Sequence, residues 1–215
     1  MIGLLFNTAQ AQDWPNLKKY QVANANLNPE VKHRVVFMGN SITEGWSAAR
    51  PDFFASKAYV NRGISGQTTP QMLLRFRQDV IDLNPDIVVI LAGTNDIAGN
   101  TGAMTLVQIR DNIHSMVELA KANEIVPIVC SVLPAYDYPW RPGLQPNIKI
   151  PKLNDMLKKL AEEENVPYLD YFSAMADDRN GLPKKYADDE VHPTKEGYVI
   201  MEPLVEEAIN SVLNQ

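Results

Sequence analysis

Five short apolar runs punctuate the chain, and helical patterns lie between them. The runs occupy residues 34–38, 58–61, 86–91, 125–131 and 166–170. The clearest of them, Asp86-Ile87-Val88-Val89-Ile90-Leu91, is apolar at consecutive positions, not at alternate ones. A strand of that kind is buried on both faces, as in a parallel sheet covered by helices. Residues 105–123 place Leu106, Ile109, Ile113, Met116, Val117 and Ala120 at helical spacing. Leu153, Met156, Leu157 and Leu160 do the same between the fourth and fifth runs. A final helix is expected from Thr194 to about residue 213, kinked at Pro203. Residues 13–27 read as a helix with Asp13 as N-cap, Trp14 and Leu17 on one face, and Pro15 in the first turn. Residues 134–151 break the rhythm. Tyr136, Tyr138 and Trp140 alternate there with Pro139, Pro142 and Pro146, which predicts a long, stiff surface loop. Strands alternating with helices predict an α/β three-layer sandwich around a five-stranded parallel sheet. No repeat or linker divides residues 13–215, so one domain is expected there.

Composition narrows the partners. The 215 residues are 45% hydrophobic and 21% charged, ordinary for a globular protein. A net charge of -6 argues against nucleic-acid binding, which needs a clustered basic face. Glu162-Glu163-Glu164 reads as solvated helix surface. Cys130 is the single cysteine, so no intramolecular disulfide can form, and it reads as a small buried hydrophobe. No apolar run approaches the ~20 residues of a membrane-spanning helix. Residues 1–12 resemble the remnant of a secretory signal peptide, with a short apolar stretch and an Ala9-Gln10-Ala11 cleavage pattern, although the first basic residue is Lys18. Export, periplasmic or secreted, is the corresponding expectation.

The chemistry collects at strand ends. The first run leads into Gly39-Asn40-Ser41, the second into Gly63-Ile64-Ser65-Gly66, and the third into Gly93-Thr94-Asn95-Asp96. A fourth group, Asp189-Glu190-Val191-His192, precedes the last helix. Ligands of open parallel sheets bind at the carboxyl ends of strands, where the first three groups fall. Together the four segments resemble the blocks of the SGNH (GDSL-like) hydrolases, in that family's order and across almost the whole domain. The resemblance implies a flavodoxin-like SGNH fold, with Ser41 as nucleophile, His192 as base and Asp189 as the acid of the D-x-x-H pattern. It places Ser41, Gly63 and Asn95 in an oxyanion hole. The chemistry agrees: a serine hydroxyl needs an imidazole to take its proton, and the imidazole needs a carboxylate to fix its tautomer. Asn40 stands where the family usually has Asp, keeping the shape and losing the charge.

The resemblance implies a serine esterase without metal or cofactor. Three scattered histidines and no H-E-x-x-H pattern also speak against a metal centre. The second glycine of G-x-S-x-G is missing, which excludes the usual α/β-hydrolase elbow. Substrate contacts are expected from Asn40, Trp46, one turn after Ser41, and Trp140 in the proline-rich loop. A small acyl ester, acetyl on a carbohydrate, is the expected substrate. A lipase, lysophospholipase or thioesterase of the same family is the alternative, as is a glycan-binding module that keeps the fold without catalysis.

Overall fold

The computed structural model describes residues 12–55 and 57–214. The signal-peptide remnant expected over residues 1–12 therefore lies outside the described residues, except for Gln12. The strands are β1 (Val35–Gly39), β2 (Tyr59–Gly63), β3 (Ile87–Leu91), β4 (Val126–Cys130) and β5 (Tyr168–Leu169). They form one parallel sheet in the order β2-β1-β3-β4-β5. The helices are α1 (Gln21–Ala25), α2 (Ser41–Ala49), α3 (Pro51–Ala55), α4 (Thr69–Asp79), α5 (Thr94–Ile97), α6 (Leu106–Lys121), α7 (Pro146–Glu164), α8 (Tyr171–Met175) and α9 (Lys195–Leu213).

The apolar strand runs serve two cores at once. Successive side chains of a strand point to opposite faces. Val36, Met38, Val88 and Ile90 pack with α4, α6 and α7, through Met72, Phe76, Ile113 and Leu157. Val35, Phe37, Ile87 and Val89 pack on the other face with α2, α3, α8 and α9, through Trp46, Phe53, Tyr171 and Met201. Each fully buried Val, Leu, Ile, Phe or Met side chain is worth roughly 1.5–3 kcal/mol. Cys130 ends β4 inside the second core at 1% exposure, and burial pushes its thiol pKa up.

Two sequence expectations change. The segment from residue 13 to 27 is helical only over α1; Asp13 instead closes a turn by accepting from the N–H groups of Leu17 and Lys18. The loop expected to run to residue 151 ends at Pro146, the first residue of α7. Proline fits there because the first helical N–H has no partner within the helix. Pro151 then removes one N–H from inside α7, and the carbonyl it would have served, that of Asn147, accepts from Asn180 Nδ2 at 3.3 Å. The last helix, Lys195–Leu213, contains Pro203, and its N-cap is Thr194, whose hydroxyl accepts from Gly197.

Candidate active site

The strand order reverses beside β1, which lies between β2 and β3, and the polar strand ends meet there. Ser41 is the first residue of α2, reached from β1 through Asn40. Asn40 is buried, and its Oδ1 accepts from Ile42 N at 3.0 Å, so it caps the helix. An N-capping side chain held at 1% exposure is not a substrate contact. The same role suits Asp or Asn, so the cap itself does not require a charge at this position. Ser41's own N–H is one of the orphan donors of a helix start.

Across 151 residues of sequence, His192 Nε2 sits 2.9 Å from Ser41 Oγ. His192 Nδ1 lies 2.6 Å from Asp189 Oδ2, while Asp189 Oδ1 accepts the backbone N–H groups of His192 at 2.7 Å and Val191 at 3.0 Å. A carboxylate can only accept, so the ring proton belongs on Nδ1 and leaves Nε2 as acceptor for the Ser41 hydroxyl. Partial burial pushes the Asp189 carboxyl pKa up, but the imidazole and the two backbone donors outweigh it and hold the group below its ordinary value. Asp188 is exposed and takes no part in this chain of bonds.

Asn95 lies in α5, 4% exposed, with Nδ2 donating to the Gln67 carbonyl at 3.0 Å. That bond uses one amide hydrogen and fixes the direction of the second. Gly63 behaves differently from its expected role. Its N–H is already donated to Asn61 Oδ1 at 2.9 Å, so it does not face an oxyanion. The glycine is needed for another reason: a Cβ there would stand 2.1 Å from Glu44 N, where α2 crosses the strand end. Gly66 has what Gly63 lacks. It sits beyond β2 at φ +77°, open space surrounds the position of a Cβ, and its N–H has no acceptor among the described residues. Asn100 Nδ2 holds its carbonyl at 3.1 Å. In the sequence both glycines follow the second apolar run, which ends at residue 61, so nothing there separates them; the structure does, by extending β2 through Gly63 and leaving Gly66 in the loop beyond it.

The two tryptophans part company. Trp46 is 1% exposed, stacked between Phe53 at 5.1 Å and Tyr198 at 5.4 Å between ring centroids. It is core, and cannot wall a pocket. Trp140 is 45% exposed, lies 5.8 Å from the His192 ring and stacks on Tyr138 at 5.1 Å. Tyr138 is fully buried, its hydroxyl within hydrogen-bond distance of Thr94 Oγ1 and the Thr94 carbonyl, beside Asn95. The proline-rich loop is thus pinned to the end of β3 and holds one indole beside the imidazole.

Glu44, one turn beyond Ser41, is a residue that motif reading passes over. Its carboxylate accepts Ser65 N at 2.7 Å and pairs with Lys19, fastening the loop that carries Gly66 to α2. Burial raises its pKa, and the Lys19 and Ser65 hydrogen bonds bring it below the ordinary value. Among the described residues, no group of three or more His, Cys, Asp or Glu side chains could hold a metal ion, and no helix is long and apolar enough to cross a membrane.

The model of the GDSL-like lipase/acylhydrolase family matches residues 37–200. A candidate acylhydrolase from Bacteroides fragilis NCTC 9343 is 50% identical, with TM-score 0.91 over 94% of this chain and 100% of that one. A GDSL-like lipase from Bacteroides thetaiotaomicron VPI-5482 is 48% identical, with TM-score 0.90 over 93% of this chain and 99% of that one. An uncharacterized lipoprotein, YqeF, of Bacillus subtilis (strain 168) is 37% identical over 78 residues, 35% of this chain and 32% of that protein. The matched stretch is about a third of that relative's length.

Proposed function

Given that this chain belongs to the GDSL-like lipase/acylhydrolase family and is a hydrolase acting on esters, we propose that it removes short acyl groups, acetyl foremost, from carbohydrate esters through Ser41. The observation that carries this reading is the continuous chain Ser41 Oγ–His192 Nε2 at 2.9 Å and His192 Nδ1–Asp189 Oδ2 at 2.6 Å.

His192 takes the Ser41 proton as Oγ attacks the ester carbonyl, and Asp189 stabilises the imidazolium that forms. The negative charge on the carbonyl oxygen is met by the N–H groups of Ser41 and Gly66 and by the free amide hydrogen of Asn95. Collapse breaks the bond to the alkoxy group, which leaves as an alcohol with the proton from His192. Water, deprotonated by His192, then attacks the acyl-serine, and Ser41 regains its proton as the acid departs.

The loops beside Ser41 offer Ser65, Gly66, Asn95 and Asn100, polar or small, and the face of Trp140. That mixture suits a short acyl group on a polar ring better than a long hydrocarbon chain, with the indole as the platform for a sugar. Export fits the Ala9-Gln10-Ala11 pattern and the lipoprotein name of the Bacillus relative.

The test is a series of p-nitrophenyl esters from acetyl to octanoyl, alongside acetylated xylan, with fluorophosphonate labelling of the wild type and Ser41→Ala. Acetyl preference, and a loss of ~10⁴-fold or more in Ser41→Ala, is expected. Octanoyl preference would move the substrate to lipids. Activity or labelling that survives Ser41→Ala would overturn the nucleophile.

A further inference from the structure

A guanidinium lies beneath the floor of the site. Arg75 projects from α4 toward the sheet with no exposed surface, and its nitrogens reach in three directions. Nε donates to Gln67 Oε1 at 2.6 Å, Nη1 to Asp79 Oδ2 at 3.0 Å, and Nη2 to the Gly39 carbonyl at 3.0 Å. Gly39 ends β1 two residues before Ser41. Gln67 directly follows Gly66, and its own carbonyl accepts the Asn95 amide. One planar group therefore touches the strand end that leads to the nucleophile and the loop that bears Gly66, to which Asn95 of α5 is itself hydrogen-bonded.

Stability alone does not call for this arrangement. A buried ion pair is often no better for stability than apolar residues of the same volume, because both charges lose their water. What an apolar residue could not do is hold a carboxylate, an amide oxygen and a main-chain carbonyl at fixed angles, which the arginine fork does. The network continues outward. Gln67 Nε2 donates to the Pro15 carbonyl at 2.7 Å, and Asn24 Nδ2 donates to Asp79 Oδ1 at 2.8 Å, so the segment before β1 braces the loop through Gln67 and the end of α4 through Asp79.

We propose that Arg75, acting through Gln67 and Gly39, is a positioning residue that sets the spacing of the three oxyanion donors on Ser41, Gly66 and Asn95. Arg75 touches no substrate, and the inference rests on the Ser41 reading above. Oxyanion donors act by being aimed in advance at the place where charge develops, and a displacement near 1 Å can cost ~10²-fold in rate. The effect belongs in kcat, because the ground-state ester makes little use of those donors.

The experiment compares Arg75→Lys and Gln67→Met with the wild type on p-nitrophenyl acetate, each normalised to active sites counted by fluorophosphonate labelling. Lysine keeps the charge beside Asp79 but lacks the fork, and methionine keeps the volume of Gln67 without its acceptor. Both should lose ~10–10²-fold in kcat per labelled site, with KM moved by less than about threefold. A purely structural role would lower the melting temperature and the number of labelled sites while leaving kcat per site at the wild-type value. That result overturns the proposal and leaves Ser41 standing. Activity persisting in Ser41→Ala would instead remove the reading beneath it.

Discussion

In the proposed mechanism the His192 imidazole must accept a proton on one side and present a fixed proton on the other. Asp189 supplies the second condition with a 2.6 Å bond, and its remaining oxygen is occupied by two backbone donors. Asp189→Asn should therefore keep the turn but favour the wrong ring tautomer, lowering kcat by ~10⁴-fold with the fold intact by circular dichroism. Asn95→Ala should cost ~10²–10³-fold in kcat with a small change in KM, since the proposed mechanism loses one oxyanion donor. Steady-state kinetics with the acetyl ester checks both. The sequence brought Ser41, Asp189, His192 and Asn95 forward by type and order, and the fold sets the first three in one chain of hydrogen bonds. The sequence misplaced Gly63 and Trp46 because both depend on what packs against them. Gly63 is fixed by the backbone of α2, and Trp46 by aromatic neighbours from Phe53 and Tyr198, far apart in the chain.

Among the elements, the strands were the easiest to foresee. A strand buried on both faces writes its burial directly into consecutive residues, as β3 does. The short helices α2 and α4 were harder. In α2, the motif residues and Gly45 mask an amphipathic face made by Ile42 and Trp46. In α4, Thr68 and Gln71 form a capping box with a proline at the start, and only Met72 and Phe76 mark the buried stripe. Proline misled at α7, where it begins a helix that the pattern read as loop. The caps invite measurement. Asn40→Ala should lower stability by about 0.5–2 kcal/mol in urea denaturation, through the lost bond to Ile42 N. Because the cap adjoins Ser41, activity should fall as well. Asn40→Asp should keep the cap and the fold.

For the molecule as a whole, the acidic groups pull stability in opposite directions as pH changes. Asp189, Glu44 and Asp177 are held below their ordinary values, burial working against hydrogen bonds from His192, from Lys19 and Ser65, and from Arg179 and Gly181 respectively. Their contribution is complete above the unfolded carboxyl values and is lost as pH falls through the lower folded ones. Asp96 is the reverse. Burial raises its pKa despite bonds from Thr69 to Oδ1, and Oδ2 has no hydrogen-bond partner among the described residues. Its contribution is complete below the unfolded value and declines as pH rises through the folded one. Asp96→Asn should therefore be at least as stable as the wild type at pH 7, with a smaller advantage near pH 3. Thermal melts at the two pH values would show it, and a large loss at pH 7 would mean that the carboxylate itself is required.

Cys130 gives the same molecule a built-in clock. It is the chain's single thiol, it lies buried at the end of β4 in the core shared with α8 and α9, and a reagent can reach it only when that packing opens. The rate at which a maleimide or disulfide dye consumes that thiol in native buffer therefore reports the opening of the molecule without any engineered label. Under conditions where closing outpaces the chemistry, the dependence of that rate on urea yields the free energy of the opening that exposes β4. Comparing it with the global value from denaturation would tell whether this half of the sheet lets go before the half that carries Ser41.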